Sequence, residues 1–163
     1  MIINKKKYLK LFFLIILTLL IYVSVSKINK HKNEAKVLEP IVINLLTSVH
    51  PNLTWSFKPV ESKIKVKPGE VTTIKYEVQN LGSKNTTGIA TFAYFPNAFG
   101  GHISKINCFC YDAQSLKPGE KDTYILVILL DPAVTKDSKT KNVKEATIQF
   151  TFFDYKEYQK NKS

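Results

Sequence analysis

An all-β chain, folded as an Ig-like antiparallel β-sandwich behind an N-terminal transmembrane helix, is what this sequence predicts. Three observations predict it. Short runs rich in β-branched and aromatic residues alternate with polar ones from Ile41 onward. Turn signals separate those runs, among them the tetrapeptide Lys-Pro-Gly-Glu at 67–70 and again at 117–120. One long uncharged stretch stands near the N-terminus, and no amphipathic helical period follows it.

The uncharged stretch runs from Leu11 to Val25 and extends to Tyr8 and Ser26 with only Lys10 inside it. At 1.5 Å per residue, residues 8–26 reach roughly 28 Å, close to the hydrocarbon thickness of a bilayer. Lys10 would snorkel to the headgroups. The competing reading is a secretory signal peptide ending at Ser24-Val25-Ser26. The apolar run is long for such a peptide, and paired serines make a weaker cleavage site than alanines, so the anchor is favoured. The expected organisation is a basic segment 1–7, an anchor 8–26, a polar tether 27–40, a β-domain 41–155 and a polar tail 156–163.

Charge supports this division. Formal net charge is +11, and all 24 basic residues are lysine. Residues 1–36 carry eight lysines against one glutamate, so the excess flanks the apolar run. A chain without arginine lacks the planar fork that reads guanine or clamps phosphate, and no nucleic-acid partner is expected.

Within the domain, Ile41, Ile43 and Leu45 alternate, and Trp55–Pro59 follows a turn at Pro51-Asn52. Ile64 and Val66 alternate with lysines; Pro68-Gly69 then leads into Val71–Gln79. A loop from Asn80 to Gly88 precedes Ile89–Phe95, and Pro96–Gly101 precedes Ile103–Tyr111. Pro118-Gly119 leads into Thr123–Leu130, and Ala146–Phe153 closes the series after a polar stretch. Seven or eight strands of this length suit an Ig-like sandwich. Trp55, Phe57, Tyr76, Phe92 and Phe150 alternate with polar residues and are expected in its core. In both Lys-Pro-Gly-Glu turns proline presets φ and glycine supplies a positive φ, the signature of a type II turn.

Catalytic constellations are absent from the sequence: there is no His-Glu-x-x-His, no Gly-x-Ser-x-Gly and no phosphate-binding glycine loop. An enzyme is not expected. The chemistry concentrates in Cys108 and Cys110, separated by Phe109. On a regular strand residues i and i+2 share a face, with Cα atoms roughly 6.5–7 Å apart, so a bridge between them would be strained. Phe109 and Tyr111 would then turn to the opposite face and pack inward. Three readings stay open: two buried small hydrophobes, a redox pair, or a soft-metal site. Two thiolates suit Cu(I), whereas zinc normally takes four ligands. Lys105 is near enough in sequence to lower a thiol pKa.

The stretch Lys105-Ile-Asn-Cys-Phe-Cys-Tyr111, with Gln114, Leu116, Pro118-Gly119-Glu120 and Asp131-Pro132, resembles the CtaG family, the copper-delivery assembly factors of cytochrome c oxidase. Trp55-Ser-Phe-Lys-Pro59, Val66-Lys-Pro-Gly-Glu70 and the last strand extend the likeness from about Ile41 to Phe153. The resemblance implies a membrane-anchored copper chaperone that holds Cu(I) at Cys108 and Cys110 and delivers it to the CuB centre of oxidase subunit I. It implies a single-pass protein of the bacterial inner membrane, N-terminus cytoplasmic and domain periplasmic, and a homodimer sharing copper; the upstream donor is unknown. This sequence lacks the family's usual third cysteine between anchor and first strand. It has Tyr124 where a methionine is usual and Thr54 where the tryptophan motif has proline. His102 is the candidate substitute ligand. The alternative is a membrane-tethered Ig-like interaction module, or a divergent member without efficient copper transfer.

Overall fold

The structure, a computed structural model, describes residues 14–26 and 38–160. The chain divides into two units at Val37 and Leu38. In the first, residues 14–26 form a helix, α1, whose side chains are all exposed. Thirteen residues rise roughly 20 Å, and among the described residues no helix is long and apolar enough to cross a membrane. The remainder of the expected anchor, residues 8–13, lies outside the described residues, as do the basic segment 1–7 and most of the tether.

The second unit is a two-sheet sandwich. In chain order its strands are β1 (Ile41–Val49), β2 (Trp55–Pro59), β3 (Lys63–Val66), β4 (Val71–Asn80), β5 (Thr86–Phe95), β6 (Ile103–Cys108), β7 (Gln114–Leu116), β8 (Lys121–Leu130) and β9 (Glu145–Asp154). One sheet has the order β3-β1-β9-β5-β7 and the other β2-β4-β8-β6. The expected sandwich therefore holds, with one correction: β1 and β9 pair in parallel, all other neighbours being antiparallel. The two strands lie at opposite ends of the domain sequence, where no tight turn imposes a direction. A short helix, α2 (Tyr155–Lys160), follows β9.

The period-2 alternation builds the core between the sheets. Tyr76 and Val78 of β4, Leu126 and Ile128 of β8, and Ile148, Phe150 and Phe152 of β9 are all buried. Trp55 and Phe57 join them, as the alternation predicts. Phe92 does not: it lies opposite Phe150, on the inward face of β5, yet is 42% exposed. What meets its ring from β6 of the second sheet is the Lys105 ammonium, 2.8 Å from the ring centroid.

The two Lys-Pro-Gly-Glu turns are equivalent in structure as well as sequence. Gly69 and Gly119 have φ of +89° and +74°. The amides of Glu70 and Glu120 donate to the carbonyls of Lys67 and Lys117 at 3.1 Å. Each turn carries the chain from the first sheet to the second. Gly69 N–H then donates to Leu130 at the end of β8, and Gly119 N–H to Asn80 at the end of β4. Asn80 is fully buried, and its amide donates to the carbonyls of Lys84 and Leu116 at 2.8 and 3.0 Å. This clamp holds the 81–85 loop against the end of β7, with the buried polar group satisfied.

Candidate metal centre

Cys108 is the last residue of β6, and the strand reaches it through a bulge. Lys105 pairs with Ile128 and Cys108 with Leu126, with a register shift between Lys105 and Asn107. Ile128 and Leu126 both face inward. Three positions apart on a regular strand, Lys105 and Cys108 would face opposite ways. The extra residue, Ile106, restores their common parity and is itself 56% exposed. Cys108 is thereby turned inward and is 4% exposed.

The regular strand expected through Tyr111 ends here. Phe109–Tyr111 forms a 3-10 turn. Such a turn rises about 2 Å per residue where a strand rises about 3.3 Å, so the two cysteines come closer than the strand geometry implied. Their Cα atoms are 5.0 Å apart and the sulfurs are joined as a disulfide. Cys110 N–H donates to Cys108 Sγ at 3.2 Å, and Cys110 is half-buried. The side chain of Gln114 fixes the turn from outside, donating to Phe109 O at 3.0 Å and Asp112 O at 3.3 Å.

Phe109 does pack inward, although by the turn and not by strand alternation. Its ring meets those of Phe57, Tyr76, Tyr124, Phe150 and Phe152, with centroids 4.9–5.9 Å away. Tyr111 does not follow it: the side chain is 57% exposed, and its hydroxyl donates to Lys105 O at 2.8 Å. The residue between the two cysteines thus plugs the core, while the Gln114 and Tyr111 hydrogen bonds hold the turn from the other side.

The other sequence candidates fall elsewhere. His102 begins the approach to β6, a strand length of roughly 20 Å from Cys108 at about 3.3 Å per residue. Its Nε2 lies 3.4 Å from both Thr140 Oγ1 and Asp137 Oδ2, so it is not a third ligand. Tyr124 is buried against Phe109. Among the described residues no group of three or more His, Cys, Asp or Glu side chains could hold a metal. Two sulfurs alone suit a soft cation of low coordination number and do not complete a zinc shell. Sequence reading missed the bulge at Ile106 and the clamp from Gln114; neither follows from β-propensity.

Partial burial lowers the Lys105 ammonium to about 8 from its usual 10.5. Burial also raises the Tyr76 and Tyr124 hydroxyls, the latter with help from Asp122 and Glu120. Between about pH 8 and the ordinary lysine value the unfolded chain holds the extra proton, so stability rises with pH there. Above the ordinary tyrosine value of 10.0 the unfolded tyrosines lose protons that the folded ones keep, and stability falls. Denaturation midpoints from pH 7 to 11 should therefore climb and then drop. Lys105→Met should remove the climb; an unchanged climb in that variant refutes the assignment.

A family model described as cytochrome c oxidase assembly protein CtaG/Cox11 matches residues 19–154. Curated proteins named cytochrome c oxidase assembly protein CtaG match as well. That of Sinorhizobium fredii (strain NBRC 101917 / NGR234) is 39% identical over 115 residues, 71% of this chain and 58% of the relative. That of Nitrobacter hamburgensis is 35% identical over 123 residues, 76% of this chain and 57% of the relative. That of Brucella anthropi is 41% identical over 101 residues, 62% of this chain and 50% of the relative. The matched region thus spans 50–58% of the length of these relatives.

Proposed function

Because the chain belongs to the CtaG/Cox11 family of cytochrome c oxidase assembly proteins, we propose that it serves assembly of that oxidase as a carrier of Cu(I), handing the ion to the CuB site of subunit I. The observation that carries the reading is the juxtaposition of Cys108 and Cys110, with Cα atoms 5.0 Å apart at the edge of a rigid sandwich. In the bridged form both sulfurs are spent on each other. Two electrons and two protons from a dithiol reductant convert the bridge to two thiols, and Cu(I) then displaces the thiol protons.

Cys108 would supply the anchored ligand, held by β6 and the core. Cys110, half-buried on the turn, would supply the accessible one. An acceptor ligand attacks a low-coordinate ion more readily than one enclosed by four donors, so copper passes by exchange without release. The protein acts here as a carrier, not as a catalyst. We place residues 8–26 in the bacterial inner membrane on the strength of the uncharged run, with the N-terminus cytoplasmic and the sandwich periplasmic, because the opposite orientation would require Lys5, Lys6 and Lys7 to be translocated. Such an anchor would raise the effective concentration of the carrier near a membrane-embedded acceptor. A homodimer would complete the coordination by sharing copper between two chains.

The test is an anaerobic Cu(I) titration of the chain in two states, reduced and bridged, with chain mass followed alongside. Copper should bind the reduced chain in a fixed ratio and leave the bridged chain empty. Equal uptake by both would show that the ion is held somewhere other than the two sulfurs.

A further inference from the structure

The first sheet ends in a strand too short to cover its neighbour. β7 pairs with β5 only through Thr86, Thr87 and Gly88. On its other side β5 is paired with β9 from Gly88 to Phe95. From Ile89 to Phe95, therefore, one edge of β5 has no strand beside it among the described residues. This stretch, Ile-Ala-Thr-Phe-Ala-Tyr-Phe, contains no charge and no proline. Proteins ordinarily blunt such an edge with lysine, proline or a bulge, because unpaired N–H and C=O groups template the addition of another strand. None of those devices stands within these seven residues. Phe92 and Phe95 are 42% and 54% exposed on it.

Open space borders the first half of this edge. A groove of about 530 Å³ runs along Ile89–Phe92, bounded by Cys110–Ala113 and by Tyr155 of α2. Phe92, one of its lining residues, carries the ammonium of Lys105 over its ring. Among the described residues no carboxylate lies within ion-pair distance of it.

We propose that the free edge of β5 receives an extended segment of a partner polypeptide, uncharged except for one carboxylate that meets Lys105. The main-chain groups of Ile89–Phe95 would supply affinity, and the side chain beside Phe92 would supply specificity. The depressed basicity of Lys105 agrees, since an ammonium removed from water without a counter-charge gains most from acquiring one. A second copy of this chain fits less well. Its own edge carries no carboxylate, and pairing about a two-fold near Phe92 would bring two Lys105 cations together. The tether 27–40 carries four lysines beside Glu34 and Glu39, so it is not an uncharged segment with one carboxylate. The partner segment would lie against Cys110, but the proposal stands whether or not the cysteines carry copper.

The test uses the full chain in detergent and a panel of acetylated nonapeptides of alternating threonine and valine, each with one glutamate at a different position. Amide hydrogen exchange is read residue by residue. At least one peptide should slow exchange at alternate residues of Ile89–Phe95. Replacing its glutamate by glutamine should weaken binding about tenfold, the scale of one charge-assisted hydrogen bond. In Lys105→Gln the two peptides should bind alike, while protection of the β9 amides shows that the sandwich is intact. Three results would each overturn the proposal. One is no slowing at Ile89–Phe95 with any peptide; another is a glutamate preference that survives Lys105→Gln. The third is protection of this edge in the chain alone that grows with protein concentration, which would assign it to a second copy.

Discussion

Phe109→Ala is expected to lower the unfolding free energy by about 3–5 kcal/mol, the range for emptying a buried aromatic site. The ring is 9% exposed and packs on five other aromatic rings drawn from β2, β4, β8 and β9. These strands belong to both sheets, so the side chain bridges the two layers and the hole cannot close by moving one of them. A domain of this size has about 5–15 kcal/mol in total, so the variant should unfold at markedly lower urea concentration with its m-value unchanged. Phe109→Leu should recover much of the loss. A change below about 1 kcal/mol in Phe109→Ala, well under the usual cost of such a cavity, would mean that the ring does not hold the sheets together. The same truncation frees the backbone between the sulfurs, so copper affinity should weaken along with stability.

Cys110→Ser is expected to abolish Cu(I) binding while leaving the sandwich folded. The bridge closes a loop with a single residue between its ends, and chain-entropy effects of so small a loop are slight. Serine at this half-buried position can reach water. A lone remaining thiolate leaves the ion one protein ligand, and the affinity loss should exceed the roughly 10–100-fold typical of outer-shell changes at metal sites. Cys108→Ser should lose copper equally and also cost stability, because its hydroxyl would enter a site only 4% exposed. Metal analysis of the reduced variants, with thermal melts of the same samples, checks both. Full copper stoichiometry in the doubly substituted chain would remove the carrier reading.

Most of the scaffold is legible in the sequence because a strand writes its burial in alternate residues. Trp55, Phe57, Tyr76 and Phe150 are read inward and found inward. Both Pro-Gly turns are legible because proline and glycine fix φ locally. What escapes is non-local. The parallel pairing of β1 with β9 is decided by residues about a hundred positions apart. Phe92 carries the correct parity, but which side chain of the opposite sheet meets it, here Lys105, is not written in its own strand. At the site, the proximity of the two sulfurs is legible from their spacing. The irregular path that brings them together is not, because a bulge is defined only against the partner strand.

The bulge at Ile106 makes this stretch of chain sensitive to counting. Composition can drift there with little harm, since the extra side chain points to solvent. Length is constrained in one direction. Deleting Ile106 would leave Lys105 and Cys108 two positions apart on a regular strand, opposite the same partners, Ile128 and Leu126, so the first sulfur would keep its inward face. Adding a residue beside it would exchange the inner and outer faces for everything downstream until the turn, presenting the first sulfur to solvent and pulling the aromatic plug out of register. Insertions, tolerable across the loop that follows β8, should be purged from these few positions, whereas loss of the bulged residue should pass unnoticed.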